Sequence, residues 1–162
     1  MKNEYKDKID KANVYDAALR TPLEKQVNLP KRFNNNILVK REDLQPVFSF
    51  KIRGAYNKMK NLSDENLKNG VIACSAGNHA QGVALAAKIL ECNATIVMPK
   101  TTPFIKINAV EFHGAKVVLH GETLHECFDH ALGIQKKQGS IFVHPFDDPE
   151  VIAGQGTICL LY

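Results

Sequence analysis

One lysine of this chain stands where its amine could act as a nucleophile. Apolar residues with helical spacing begin directly after Lys51, which places that lysine in the first turn of a predicted helix. They are Ile52, Ala55, Tyr56 and Met59, and Ser49 is the predicted N-cap. The positive end of the helix dipole and desolvation would both lower the pKa of the amine, as Schiff-base chemistry requires. By spacing alone, an ordinary solvated surface lysine is the commoner alternative.

A second segment, Ser75-Ala76-Gly77-Asn78-His79, is typical of a turn that joins a strand to a helix. Backbone N–H groups at the start of a helix form an anion site, and a glycine lets the backbone approach a ligand closely. The sequence therefore predicts an anion-binding loop here. An ordinary turn capped by Asn78 fits the same residues, and that alternative stays open.

The elements that must position these residues alternate along the chain. Predicted strands cover 37–39, 71–74, 94–98, 116–119 and 141–143, and predicted helices lie between them and within 1–20. Alternation of this kind predicts an α/β fold with an open parallel sheet flanked by helices. Such sheets bind ligands beyond the carboxyl ends of their strands, where the Ser75–Asn78 turn lies.

Composition excludes several classes of protein. The 162 residues carry a net charge of +4 that no basic cluster concentrates, which argues against nucleic acid as a partner. The polar N-terminus and the lack of a long apolar run predict no signal peptide and no membrane span, hence a cytoplasmic protein. Cys74, Cys92, Cys127 and Cys159 have neither disulfide nor zinc spacing, and the histidines at 120–130 predict no metal site.

Three segments resemble those of one enzyme family. Ser49-Phe50-Lys51-Ile52-Arg53-Gly54-Ala55 is similar to the lysine segment of the serine/threonine dehydratases. These are fold-type II pyridoxal-phosphate (PLP) enzymes, with a fold like that of the tryptophan synthase β-subunit. Lys40-Arg41-Glu42-Asp43 and Gln45-Pro46-Val47 are similar to the biosynthetic threonine dehydratases, and the resemblance runs from about Tyr15 to Thr157.

The resemblance implies a cofactor, a reaction and a set of site residues. Lys51 would carry pyridoxal 5'-phosphate as a Schiff base and then remove the Cα proton of L-threonine, giving 2-oxobutanoate and ammonia for isoleucine synthesis. Phe50 would pack beside the cofactor ring, and Asn78 would face its 3′-oxygen. The substrate carboxylate would be bound, mainly through backbone, by Ser75, Ala76, Gly77, Asn78 and His79, although His79 could instead be structural.

The resemblance also implies a division into domains. Residues 1–40 would form the N-terminal edge of a large domain, 41–145 a small α/β domain, and 146–162 the start of the return into the large domain. The segment His144–Glu150 is assigned no chemistry. Because the family continues beyond position 162, and the apolar stretch 158–162 has no cap, we expect a truncated chain that is inactive or nearly so by itself.

Other functions remain open on the sequence. A serine dehydratase, a serine racemase or a β-replacement enzyme belongs to the same class, although Gln45-Pro46-Val47 and Val151–Thr157 favour the threonine enzyme. A different alternative is an inactive remnant, or one part of a split protein that needs a partner. The family is homo-oligomeric, which is the expectation for a complete protein.

Overall fold

The core of the fold is a parallel sheet. The computed structural model describes residues 2–160, and its larger sheet has four parallel strands in the order β5-β4-β3-β6. The strands are β3 (Val71–Cys74), β4 (Ala94–Met98), β5 (Lys116–Leu119) and β6 (Ile141–Phe142). The predicted α/β class with an open parallel sheet is confirmed, and three of these strands have the predicted bounds. The fourth ends one residue early, although the backbone N–H of Val143 still bonds to Ile72.

A smaller antiparallel sheet joins β1 (Leu23–Lys25) to β2 (Leu38–Lys40). The sequence predicts a buried strand at 37–39. The prediction that this strand is buried is wrong, because Leu38 is 56% exposed. Within residues 2–160, β2 has β1 as its only partner strand, and none of its three residues is fully buried.

Eight helices accompany the sheets in residues 2–160. They are α1 (Lys2–Lys11), α2 (Asn28–Phe33), α3 (Lys51–Lys60), α4 (Asp64–Lys68), α5 (Asn78–Ile89), α6 (Phe104–Glu111), α7 (Leu124–Gln138) and α8 (Pro149–Gly156). Short 3₁₀ turns cover Glu42–Leu44 and Thr157–Cys159. The apolar face predicted for α3 is buried, as are Ala80, Val83, Ala84 and Ala87 of α5, whereas Leu124 at the start of α7 is 56% exposed.

The central strand β3 is buried on both faces because helices cover the sheet on each side. Val71 and Ala73 belong to the main apolar core with residues of α3 and α5. Ile72 and Cys74 belong to a second core with Cys127 of α7. Since successive side chains of a strand point to opposite faces, a run of four buried residues requires this arrangement.

Helix α3 is packed closely between α5 and α8 because each neighbour presents a glycine to it. A Cβ added at Gly82 of α5 would lie 3.2 Å from the backbone of Lys51. A Cβ added at Gly154 of α8 would lie 2.5 Å from the carbonyl oxygen of Arg53 and 2.7 Å from the Cα of Gly54. The position of α3, and with it of Lys51, therefore depends on these backbone contacts.

A buried ion pair fixes α3 to the N-terminal part of the chain. The Nε and Nη2 atoms of Arg53 donate to the two carboxylate oxygens of Glu42, at 2.7 and 2.8 Å. Arg53 is 1% exposed and Glu42 9%. The same guanidinium donates to the carbonyl of Leu19 and to the hydroxyl of Thr157, while Thr21 donates to Glu42. One cluster thus connects the segment before β1, the first 3₁₀ turn, α3 and the second 3₁₀ turn, which directly follows α8.

We expect Gly154→Ala to destabilise the chain by about 1–3 kcal/mol, because the methyl group would press against the backbone of α3. Denaturation in urea measures the effect. The matched control is Gly133→Ala at an exposed position of α7, where an added Cβ meets nothing within 4 Å. That change should be neutral or stabilising by up to about 1 kcal/mol. Equal effects of the two substitutions would contradict the close α3–α8 contact.

We also expect Glu42→Gln to destabilise the chain by about 3–5 kcal/mol, because it leaves a buried guanidinium without a counter-charge. Burial opposes ionisation of Glu42, but hydrogen bonds from Arg53 and Thr21 outweigh it and hold the pKa of the carboxyl below its ordinary value of 4.5. Its contribution is therefore present above about pH 4.5 and lost as the pH falls through the lowered pKa.

Urea titrations between pH 3 and pH 7 would measure this dependence, which the substitution should reduce. Glu24→Gln is the control, since Glu24 pairs with Arg41 at a position that is only partly buried. If Glu42→Gln left the acid sensitivity of the chain unchanged, the buried pair would not be what acid breaks.

Candidate active site

Three segments meet at the carboxyl edge of the larger sheet. Lys51 begins α3, the Ser75–His79 loop follows β3, and residues 143–146 follow β6. The Nζ atom of Lys51 donates to the carbonyl oxygen of Pro145 at 2.7 Å. The imidazole of His79 contacts the carbonyl oxygen of Val143 at 2.9 Å. The structure thus brings the two predicted segments together at this edge of the sheet, where a parallel sheet is expected to have its ligand crevice.

Lys51 is held at the helix start by its neighbours. The N-cap of α3 is Phe50, which makes no side-chain capping bond, so the prediction of Ser49 as the N-cap is wrong. The hydroxyl of Ser49 nevertheless accepts the backbone N–H of Lys51 at 3.3 Å. Partial burial lowers the pKa of the Lys51 amine. Within residues 2–160 no carboxylate forms an ion pair with it, and Phe50 lies with its ring centroid 5.5 Å from Nζ. The amine is therefore partly desolvated and free of a counter-charge.

The Ser75–His79 loop has the geometry of an anion site. Helix α5 begins at Asn78, and Gly77 rather than Asn78 occupies the cap position, so that the interpretation of Asn78 as a cap is wrong. The hydroxyl of Ser75 accepts the N–H of Gly77 at 3.2 Å, which closes the turn. The first-turn N–H groups of Asn78 and His79 have no acceptor within the helix, and a Cβ at Gly77 would meet nothing within 4 Å. Open space and free backbone N–H donors therefore lie together at Gly77.

His79 differs from the rest of the loop because its side chain is 3% exposed. A carbonyl oxygen can only accept, so the contact with Val143 requires the proton on Nε2. Its Nδ1 is buried without a partner in the described part of the chain. Burial lowers the pKa of His79 to about 4, and the charges of Lys51 and His144 act in the same direction. The imidazole is therefore neutral near pH 7.

The segment after β6 was missed by the sequence interpretation, which assigned His144–Glu150 no chemistry. The structure places the carbonyl of Pro145 against the amine of Lys51. The Nδ1 atom of His144 accepts the backbone N–H groups of Phe146 and Asp147, at 3.3 and 2.7 Å, and so shapes this turn. No side-chain pattern could have revealed Pro145, because a backbone carbonyl makes the contact.

Comparison with known proteins decides the family. Residues 14–160 match the family model of the pyridoxal-phosphate dependent enzymes. The chain belongs to this family. Among curated proteins it is 56% identical to the threonine dehydratase of Nicotiana attenuata over 147 residues, 91% of this chain and 24% of that protein. It is 52% identical to the biosynthetic L-threonine dehydratase of Burkholderia multivorans over 161 residues, 98% of this chain and 32% of that protein.

Solved structures agree with this assignment. The processed form of threonine deaminase isoform 2 from Solanum lycopersicum has a TM-score of 0.94 and 55% identity, covering 98% of this chain and 44% of that one. Maize serine racemase has a TM-score of 0.92 and 32% identity, covering 96% of this chain and 48% of that one. The PLP-family fold predicted from the sequence is confirmed, and the chain spans about a quarter to a half of the length of these relatives.

The residues of the crevice fit the cofactor of the family. An aldehyde needs a neutral amine, and the Lys51 amine is partly desolvated and without a carboxylate partner in residues 2–160. The open space at Gly77 would admit an anionic substrate close to the backbone. Lys51 is thus the residue that would hold PLP, with Phe50 beside it.

Residues 2–160 contain no helix that could span a membrane. No group of three or more histidine, cysteine or acidic side chains in that part of the chain could hold a metal ion.

We expect the amine of Lys51 to react at lower pH than an exposed lysine, since burial lowers its pKa. Reductive methylation with formaldehyde and cyanoborohydride labels neutral amines, and peptide mass spectrometry reports each position. Labelling of Lys51 as the pH rises should reach its half-maximal rate before that of exposed Lys136, which serves as the internal reference. Coincident pH profiles at the two lysines would contradict the prediction.

Proposed function

We propose that this chain is the part of a biosynthetic threonine dehydratase that holds the cofactor and the substrate carboxylate. The complete protein would convert L-threonine to 2-oxobutanoate and ammonia in isoleucine synthesis. One observation carries the proposal: the partly desolvated amine of Lys51 lies in one crevice with the free N–H groups of the Ser75–His79 loop.

The relatives support threonine as the substrate. The two curated proteins given above, which match over 90% or more of this chain at 56% and 52% identity, are named threonine dehydratases. A second candidate, action on serine, is favoured by the high TM-score of maize serine racemase. The identity of 55% with the threonine deaminase, against 32% with the racemase, favours threonine.

Lys51 would have two tasks. It would first hold PLP covalently through Nζ and, once the substrate amine has taken its place, accept the proton from the substrate Cα. When bound, PLP would supply an electron sink for the charge that develops at Cα. Both tasks need an amine that loses its proton readily, and the lowered pKa of Lys51 supports the assignment.

The other site residues would orient the reactants. The backbone of Ser75, Ala76, Gly77, Asn78 and His79 would hold the substrate carboxylate, as a helix start favours an anion. A fixed carboxylate aligns the Cα–H bond with Nζ, which is a large part of what such a site contributes to rate. The side chain of Asn78, at the head of α5, would face the 3′-oxygen of the cofactor, and Phe50 would pack against its ring.

The division of the chain also stays a proposal. Residues 1–40 would belong to a large domain, 41–145 to a small one, and 146–162 to the return into the large domain. The buried cluster around Arg53 and Glu42 lies where such domains would join, since it connects residues from all three ranges. We further propose a cytoplasmic homo-oligomer as the complete form, as the cysteine spacing and the resemblance to the family suggest.

Reduction with borohydride tests the central assignment. After incubation of the chain with PLP and reduction, we expect peptide mapping to find most of the label on Lys51, because this amine is the most readily deprotonated of the crevice. Lys51→Ala should lose that label, whereas Lys136→Ala on exposed α7 is the control and should keep it. Label spread evenly over exposed lysines would contradict the proposal.

Substrate class is tested with the same label. Preincubation with L-threonine should lower the trapped adduct on Lys51, because the substrate amine competes with Nζ for the cofactor. L-Serine should compete less well and D-threonine hardly at all. Stronger competition by serine than by threonine would favour the serine-directed alternative.

A further inference from the structure

Two hydrogen bonds of the crevice fall on one short backbone segment. The imidazole of His79, in the first turn of α5, contacts the carbonyl oxygen of Val143 at 2.9 Å. Two residues later, the carbonyl oxygen of Pro145 accepts the amine of Lys51 at 2.7 Å. The segment 143–145 therefore connects the helix of the carboxylate loop to the lysine, although 64 and 94 residues of chain separate the partners.

The chemistry of the first bond has one direction. Because the Val143 carbonyl can only accept, His79 donates from Nε2 and leaves a bare lone pair on Nδ1. Two charged or titratable groups face the imidazole, Lys51 from α3 and His144 from the segment after β6. Both act against a positive charge on His79, as does its burial. His79 therefore stays neutral and keeps donating to Val143 over the pH range in which the Lys51 amine would react.

We propose that His79 is a positioning residue for Lys51. Its Nε2–H holds Val143, directly after β6, so that the carbonyl of Pro145 stays against the lysine amine and closes that side of the crevice. The role rests on the proposed function in that Lys51 is the reactive amine. It assigns the side chain of His79 to the lysine, whereas the proposed function uses the backbone of His79 for the substrate.

The proposal predicts how Lys51 responds when the donor is removed. Without the bond, residues 143–145 can move away from the amine and water can reach it. The desolvation that lowers the pKa of Lys51 would then diminish. His79→Leu removes the donor but keeps an apolar side chain of similar bulk. His79→Gln replaces the donor, because the amide nitrogen of glutamine reaches about as far as Nε2 of histidine.

Reductive methylation of Lys51 against pH is the test, since it needs no cofactor. In His79→Leu we expect the half-maximal pH for Lys51 to rise by about one unit, which is about a tenfold slower labelling near neutral pH. His79→Gln should restore a profile close to that of the unmodified chain. His125→Leu, at an exposed histidine of α7, is the control and should change nothing.

The methylation profiles distinguish failure of the positioning role of His79 from failure of the proposed function. An unchanged Lys51 profile in a folded His79→Leu chain overturns the positioning role, whether or not PLP labels Lys51. A shifted profile that glutamine restores supports it, even if borohydride trapping places PLP elsewhere. A shift that glutamine leaves uncorrected assigns His79 to packing and overturns the proposal.

A second measurement needs no variant. Nitrogen-15 NMR of the histidine side chains distinguishes the Nε2–H form, the Nδ1–H form and the imidazolium. We expect His79 to show the neutral Nε2–H form from pH 5 to pH 8, because burial lowers its pKa to about 4. An imidazolium or an Nδ1–H form within that range overturns the proposal even if the leucine variant does not fold.

Discussion

A guanidinium almost removed from water has to be neutralised, and in this chain Arg53 is neutralised by Glu42. Such a pair contributes little net stability over an apolar pair of similar volume, but losing one partner is costly. The pair therefore determines how the connected segments are arranged, more than how stable the fold is. The remaining donors of Arg53 reach Leu19 and Thr157, and Thr21 completes the carboxylate, so that four distant segments share one set of hydrogen bonds. A displacement of any one of them leaves a buried polar group unpaired.

That constraint extends to the amine of Lys51, which lies in the same turn of α3. Arg53 is two residues beyond Lys51, and the glycines of α5 and α8 let the backbones of these helices lie directly against α3. The ion pair restricts rotation of the helix about its axis, while the glycine contacts restrict its distance from its neighbours. Lys51 thus occupies a defined place at the helix start, although its own side chain makes a hydrogen bond to a single carbonyl. The position of Lys51 is thus determined by the surrounding packing rather than by contacts of the lysine side chain.

The sequence alone could predict the parts of the fold that local pattern determines. Val71–Cys74 is a continuous apolar run between turn residues, and its bounds are as predicted because helices bury both of its faces. The strand at 37–39 is also apolar, but its prediction as buried is wrong because burial depends on which layers the fold brings to it. For the site, sequence motifs identify Lys51 and the Ser75–His79 loop as neighbours. The contact of Lys51 with Pro145 could not be predicted, since a backbone carbonyl leaves no side-chain pattern in the sequence. The binding roles of Phe50, Ser75, Ala76, Gly77, Asn78 and His79 stay predictions.

The choice of a carbonyl as the partner of Lys51 has a consequence for its reactivity. A carboxylate at the same place would stabilise the ammonium form strongly and raise the pKa of the amine. A neutral carbonyl also accepts the N–H, but it stabilises the ammonium charge less than a carboxylate would. The effect of burial is therefore larger, and the pKa of Lys51 falls. Pro145 therefore orients Nζ without fixing the proton on it. The same amine can be held in one geometry and still exchange its proton, which is what a residue that both binds an aldehyde and accepts a proton from carbon must do.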